Sequence, residues 1–370
     1  TIGFVADGEL APQLAEVGVI LLMFGVGLHF SLADLMKVRK IAVPGALFQI
    51  AAATALGWGL GRLMGMTDLE ATLMGFALSV ASTVVLLRAL EERREVKGQA
   101  GRLAMGWLIV EDLVIVLALV ILPLLVIQPG EVMNGAELAK SIGWTLLKVA
   151  GFTGVMLVVG SRLLPWLLIR IAHTRSRELF TLGVLAIALG IAWIAYQLFH
   201  SFALGAFLAG LVLNSSPLGH NAAERSLPLR DAFAVLFFVS VGMLFDPLVL
   251  VDRPGQVLAV AAIIMVGKSL AALALVLALR YPLNTALTVS VSLAQIGEFS
   301  FILVALGGNL GVLPPEAKSL VVAGALLSIA LNPLLFSLVE PARRWVLGRS
   351  AFARRLEARD DPLTELPMST

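Results

Sequence analysis

Cysteine is absent from this chain, which excludes disulfides and thiolate metal sites and leaves no redox compartment to read. Charge is scarce as well. Asp, Glu, Lys and Arg supply 14% of the residues against 59% hydrophobic, far from the soluble range, although 370 residues could fill two or three soluble domains on length alone. A formal net charge of +2, with basic residues dispersed among connecting segments, is too small to imply nucleic acid as a partner, and none is expected. The four histidines, His29, His173, His200 and His220, stand near predicted helix ends without metal-ligand spacing and read as interfacial side chains. Neither Gly-x-Ser-x-Gly nor His-Glu-x-x-His occurs, so enzyme chemistry is not expected. No Gly-x-Gly-x-x-Gly follows a strand, so no cofactor is expected within these residues. The opening Thr1-Ile2-Gly3, without Met or a signal-peptide pattern, reads as a fragment of a longer protein.

What the chain has instead is a series of apolar blocks of about 20 residues, the length a helix needs to cross a hydrocarbon core of ~30 Å. Eleven spans are predicted, over 11–30, 41–64, 69–88, 104–127, 141–164, 178–198, 201–214, 232–250, 256–279, 284–307 and 317–337. The seventh is short and implies a tilted or locally thinned crossing. Lys and Arg test this division, because cytoplasmic loops carry their excess. Twenty-one of the 27 fall in alternate connections, and the opposite connections hold only Arg62, Lys140, Arg253 and Lys318. An odd number of spans then puts Thr1 outside and the basic C-terminal tail in the cytoplasm. Residues 1–340 form the transmembrane domain, and residues 341–370, where Arg354, Arg355, Glu357, Arg359, Asp360 and Asp361 replace apolar blocks, read as a cytoplasmic linker.

Ionisable residues remaining inside spans are costly, about 2.5–3.5 kcal/mol each on insertion scales, and need partners or a wet cavity. They are Glu111, Asp112, Lys148, Lys268 and Glu298. Lys148 lies near the outer end of its span and can snorkel. Lys268 lies halfway along its span, which points to an ion pair with a buried carboxylate. Glu111 and Asp112 are adjacent and point roughly 100° apart on a helix, so one can face a partner helix while the other faces a cavity. The alternative, a boundary pair at the cytoplasmic end of a helix starting at Val110, sits poorly with the apolar run 103–110.

Polar groups interrupt two spans, at Ser79-Val80-Ala81-Ser82-Thr83-Val84 and at Gln295-Ile296-Gly297-Glu298-Phe299-Ser300. Thr83 and Ile296 are 213 residues apart, and the same offset carries span 41–64 onto 256–279 and 104–127 onto 317–337. Loop charges make the two interrupted spans run in opposite directions. This pattern suggests an inverted-topology repeat, whose paired broken helices form a midplane site with half-helix dipoles aimed at it.

These residues resemble the bacterial monovalent cation:proton antiporter-2 family, in particular its Kef-like members. The motifs are Ala81-Ser82-Thr83-Val84-Val85, Val110-Glu111-Asp112-Leu113, Ala203-Leu204-Gly205-Ala206-Phe207-Leu208-Ala209-Gly210, Leu236-Phe237-Phe238-Val239-Ser240-Val241-Gly242-Met243 and Gln295-Ile296-Gly297-Glu298-Phe299, spread in family order over most of the chain. The resemblance implies an all-α polytopic membrane protein of the inverted-repeat antiporter fold with two discontinuous helices. Eleven of thirteen spans would be present, two N-terminal helices and a regulatory NAD-binding domain being missing. It also implies a homodimer in which a mobile core rocks against a dimerisation domain, embedded in lipid in the bacterial inner membrane. By the same resemblance Asp112 binds ion and proton and Lys268 pairs with Glu111. The Glu-Asp pair departs from the Asp-Asp of electrogenic sodium antiporters and the Gln-Asp of Kef potassium efflux systems, which leaves ion and stoichiometry open.

The expected function is secondary antiport of a proton and a monovalent cation, potassium before sodium, by alternating access with competition at Asp112. Ser82 and Thr83 would supply oxygen ligands at one break, and Gln295 and Glu298 would balance half-helix termini at the other. No metal is expected beyond the transported alkali cation. The alternative is a ligand-gated, channel-like potassium efflux system. A hydrolase lacks its motifs, and a membrane scaffold leaves Glu111, Asp112 and Lys268 unexplained.

Overall fold

The computed structural model describes residues 10–29, 32–96, 98–125, 135–199, 201–243, 245–350, 354 and 357. His200, Lys97, most of the predicted linker and the side chains of His29 and His220 lie outside the described residues. The described chain is helical almost throughout. The helices are α1 (Leu10–His29), α2 (Leu32–Leu63), α3 (Asp68–Ser79), α4 (Thr83–Glu92), α5 (Gln99–Leu125), α6 (Gly135–Val155), α7 (Ser161–Ala172), α8 (Arg177–Phe199) and α9 (Phe202–Asn214). They continue as α10 (Gly219–Met243), α11 (Val249–Asp252), α12 (Pro254–Ala262), α13 (Lys268–Ala278), α14 (Leu283–Ser292), α15 (Glu298–Asn309) and α16 (Pro315–Arg349). Wide π-helical turns at Met156–Gly160 and Ile263–Gly267 join α6 to α7 and α12 to α13.

The predicted spans fall on a helix or on a pair joined through a break or a π turn, except that 232–250 runs past the end of α10 at Met243 and reaches the short α11. Among the described residues, seven stretches are long and apolar enough to cross a membrane: Val38–Leu63, Asp68–Glu92, Gln99–Pro123, Gly143–Ala172, Arg177–Phe199, Pro254–Ala278 and Pro315–Arg349. Glu16–Leu28, Phe202–Asn214 and Glu298–Asn309 are apolar but shorter. Several helices outrun their apolar blocks: α2 starts at Leu32 and α10 at Gly219, α7 continues to Ala172, and α16 continues to Arg349, past the predicted domain end at 340. Hydropathy locates only the apolar part of a helix, and polar turns such as Ala223-Glu224-Arg225 remain good helix formers beyond it.

Helix ends follow local chemistry. Thr67 and Glu70 form a reciprocal capping box at the start of α3, and Ser201 caps α9. Left-handed residues close several helices. Gly65 and Gly311 do so where glycine is the usual choice, whereas at Arg94, Arg175 and Arg280 an arginine takes that conformation.

The chain divides into two compact units. Residues 1–31 and 116–244 form the first, residues 32–115 and 245–370 the second. In the first, α1 packs on α9 and α10. It lies close to α9 at Gly27 and Gly210, where a Cβ on Gly27 would stand 3.0 Å from the Gly210 Cα. In the second, α2 packs on α3 through Gly57 and Gly75, and α14 and α12 pack on α16. Small residues let backbones approach where lipid leaves no hydrophobic drive between helices. Both members of the proposed repeat, α2 to α5 and α12 to α16, contribute to the second unit.

Candidate functional site

Two helices of the second unit are interrupted, at residues 80–82 between α3 and α4 and at residues 293–297 between α14 and α15. Main-chain groups released at membrane depth are costly unless a neighbour satisfies them. At the first break Ala81 N–H donates to Glu111 Oε2 at 2.8 Å. Gln49 Nε2 donates to the Ser79 carbonyl, the last of α3, at 3.1 Å, and to Glu111 Oε1 at 2.7 Å. At the second break Lys268 Nζ donates to the Gln295 carbonyl at 2.9 Å, and Asn332 Nδ2 to the Val291 carbonyl at 3.0 Å. Each break is therefore held by side chains from the helices flanking it in sequence: α2 and α5 for the first, α13 and α16 for the second.

The breaks are also bonded to each other. Ser82 N–H donates to Gln295 Oε1 at 2.9 Å, and Gln295 Nε2 donates back to the Ser82 carbonyl at 3.0 Å. These two residues are separated by the 213 positions of the sequence repeat. Gly297 makes the approach possible, since a Cβ there would lie 2.5 Å from the Ser82 Cα. Ser82 Oγ caps α4 by accepting from Val85 N–H at 3.3 Å and donates to Glu298 Oε2 at 3.0 Å. Glu298 opens α15, so the N-termini of two half-helices, each carrying roughly half a positive charge, meet at this hydrogen bond.

Among the described residues, the buried charged side chains are Glu111, Asp112, Lys268 and Glu298. Glu111 has both oxygens engaged by Gln49 and Ala81. Asp112 is buried too, but only its Oδ2 is engaged, accepting from the Thr83 hydroxyl at 3.4 Å. Its Oδ1 has no hydrogen-bond partner among the described residues. Such a group calls for an explanation, an ion among them. Lys268 and Glu111 attract one another electrostatically, yet no hydrogen bond joins them, because the ammonium is turned to the Gln295 carbonyl. Each member of this pair grips a different break, Glu111 the Ala81 N–H and Lys268 the Gln295 carbonyl. No group of His, Asp and Glu suited to a resident metal occurs among the described residues.

The structure brings Ser82, Thr83, Glu111, Asp112, Lys268, Gln295 and Glu298 together. Sequence reasoning passed over Gln49 and Asn332, which are neither ionisable nor part of a polar interruption of a span. Each is a lone amide within an apolar span, a signal that was available. A carboxylate with one open oxygen, bonded through the other to the Thr83 hydroxyl, offers hard oxygen ligands to a small cation and a base to a proton.

The profile of the family described as sodium/hydrogen exchanger, transmembrane, matches residues 2–339. YbaL of Escherichia coli (strain K12), provisionally named a cation/proton antiporter, is 60% identical over 343 residues, 92% of this chain and 61% of its own length. The chain thus spans about three fifths of that relative. K(+) efflux antiporter 4 of Arabidopsis thaliana is 33% identical over 340 residues, 91% of this chain and 57% of its own. The sodium proton antiporter MjNhaP1 of Methanocaldococcus jannaschii shares the fold, with a TM-score of 0.61 at 15% identity, over 95% of this chain and 87% of that one. This multi-pass membrane chain belongs to the transmembrane sodium/hydrogen exchanger family, a family of cation/proton antiporters and not of enzymes.

Proposed function

We propose that this chain is the ion-translocating part of a secondary antiporter that exchanges protons for a monovalent cation, potassium in preference to sodium, at Asp112. The observation that carries this reading is the open Oδ1 of a buried carboxylate whose neighbour Glu111 is fully hydrogen-bonded. One acid is held by the scaffold and the other is left for a ligand. Thr83, at the start of α4, is bonded to Asp112, and its hydroxyl together with that of the preceding Ser82 would supply further oxygens. A deprotonated Asp112 takes either a proton or a partly dehydrated cation, and this exclusion couples the two fluxes under alternating access. The potassium preference is supported by relatives named as K(+) efflux antiporters. Sodium comes second, in keeping with the solved sodium proton antiporter of the same fold. A bacterial inner-membrane homodimer in contact with lipid, its C-terminus cytoplasmic, completes the proposal.

The test is proton flux into proteoliposomes driven by gradients of lithium, sodium, potassium and rubidium. Saturable, proton-coupled exchange greatest with potassium is expected. Flux indifferent to every alkali cation removes the proposal, and cation flux without proton movement replaces it with a channel.

A further inference from the structure

Gln49 is fully buried in α2, and its amide has an orientation that its surroundings dictate. Both contacts of Nε2, the Ser79 carbonyl and Glu111 Oε1, are acceptors, so the nitrogen must face them. Its own Oε1 then has no hydrogen-bond partner among the described residues. A buried amide carbonyl left unpaired is unfavourable, and the fold retains it for the two bonds that the nitrogen donates. Those bonds reach the site through a short chain of contacts. Gln49 fixes Glu111, Glu111 Oε2 holds Ala81 N–H, and one and two residues beyond Ala81 stand Ser82 and Thr83, the latter bonded to Asp112. The same amide ties down the end of α3 from which this strand departs.

We infer that Gln49 is a positioning residue for the transport site: acting through Glu111, it holds the unwound strand so that Ser82 and Thr83 face the cation bound at Asp112. The inference rests on the antiport reading above. Gln49 touches neither ion nor proton, and what it sets is the affinity of the site.

The experiment compares wild type with Gln49→Met, which keeps the length of the side chain and removes both donors, in proteoliposomes at one pH with potassium as the driving ion. Apparent KM for potassium should rise about tenfold or more while the maximal rate per folded transporter changes less than twofold. Ser328→Ala, which removes a buried hydroxyl bonded within its own turn of α16, should leave KM unchanged. Gln49→Asn keeps the amide on an arm one methylene shorter and gives the same comparison if the Met variant does not fold; its KM should rise as well. A purely structural role predicts the opposite split, a lower yield and rate of active protein with KM unchanged. Potassium KM within twofold of wild type in the folded variant overturns the inference. Absence of cation-coupled flux in wild type overturns the antiport reading itself and this inference with it, so the two failures are distinct.

Discussion

The carboxamide of Gln295 pairs with both main-chain groups of Ser82, accepting from its N–H at 2.9 Å and donating to its carbonyl at 3.0 Å. One side chain from the second interruption thus completes the main chain of the first, and the two breaks form one bonded crossing. Gln295→Leu should leave both groups unsatisfied and lower stability by roughly 2–6 kcal/mol, at about 1–3 kcal/mol for each buried unpaired group. Gly297→Ala should cost about 1–3 kcal/mol by forcing a methyl against the Ser82 backbone. Thermal unfolding in detergent reads both, and wild-type stability in either variant would contradict the bonded crossing.

Asp112→Asn should abolish exchange and leave a folded protein, since the amide keeps the shape but neither titrates nor strongly attracts a cation. Glu111→Gln should leave measurable exchange, because Asp112 is untouched and the remaining amide oxygen still accepts from one of the two donors, Ala81 N–H or Gln49 Nε2, that the carboxylate serves. If protons and cations compete at Asp112, the share of protonated sites grows as pH falls. Apparent KM for the cation should then rise toward acid pH while the maximal rate changes much less. A KM indifferent to pH would move the coupling elsewhere, with Glu298 the next candidate.

Lys268 and Glu111 attract each other without touching, and each grips a separate break. Lys268→Gln should cost ~3–5 kcal/mol, the range for removing one member of a buried charge pair. Adding Glu111→Gln should recover part of that loss but not all, since the grip on Ala81 is also weakened. Strictly additive losses in the double variant would show that the two charges act independently.

Membrane sidedness is open to direct chemistry in a chain without cysteine. Single cysteines in the turn at 93–96 and at 220–225 should react with an impermeant maleimide from the cytoplasmic side only. A cysteine at 308–313 should react only from outside. Labelling of 308–313 and 93–96 from the same side would remove the opposed directions of the two interrupted helices, and with them the inverted repeat.

How much was legible in advance differs between fold and site, for a physical reason. Hydropathy and loop charge are local properties, so the sequence alone located the helices, the interruptions after Ser79 and before Glu298, and the buried Glu111, Asp112, Lys268 and Glu298. The fixed angle between successive helical residues also required Glu111 and Asp112 to face different surroundings. Which acid serves the scaffold and which keeps an open oxygen was decided by tertiary packing. It depends on Gln49, 62 positions from Glu111, and on the rotation of α5 that points Glu111 at the Ala81 N–H. The bond of Lys268 to the Gln295 carbonyl has the same origin. A main-chain group freed by a broken helix takes whichever polar side chain the packing of neighbouring helices brings within about 3 Å, and no local pattern of residues encodes that distance.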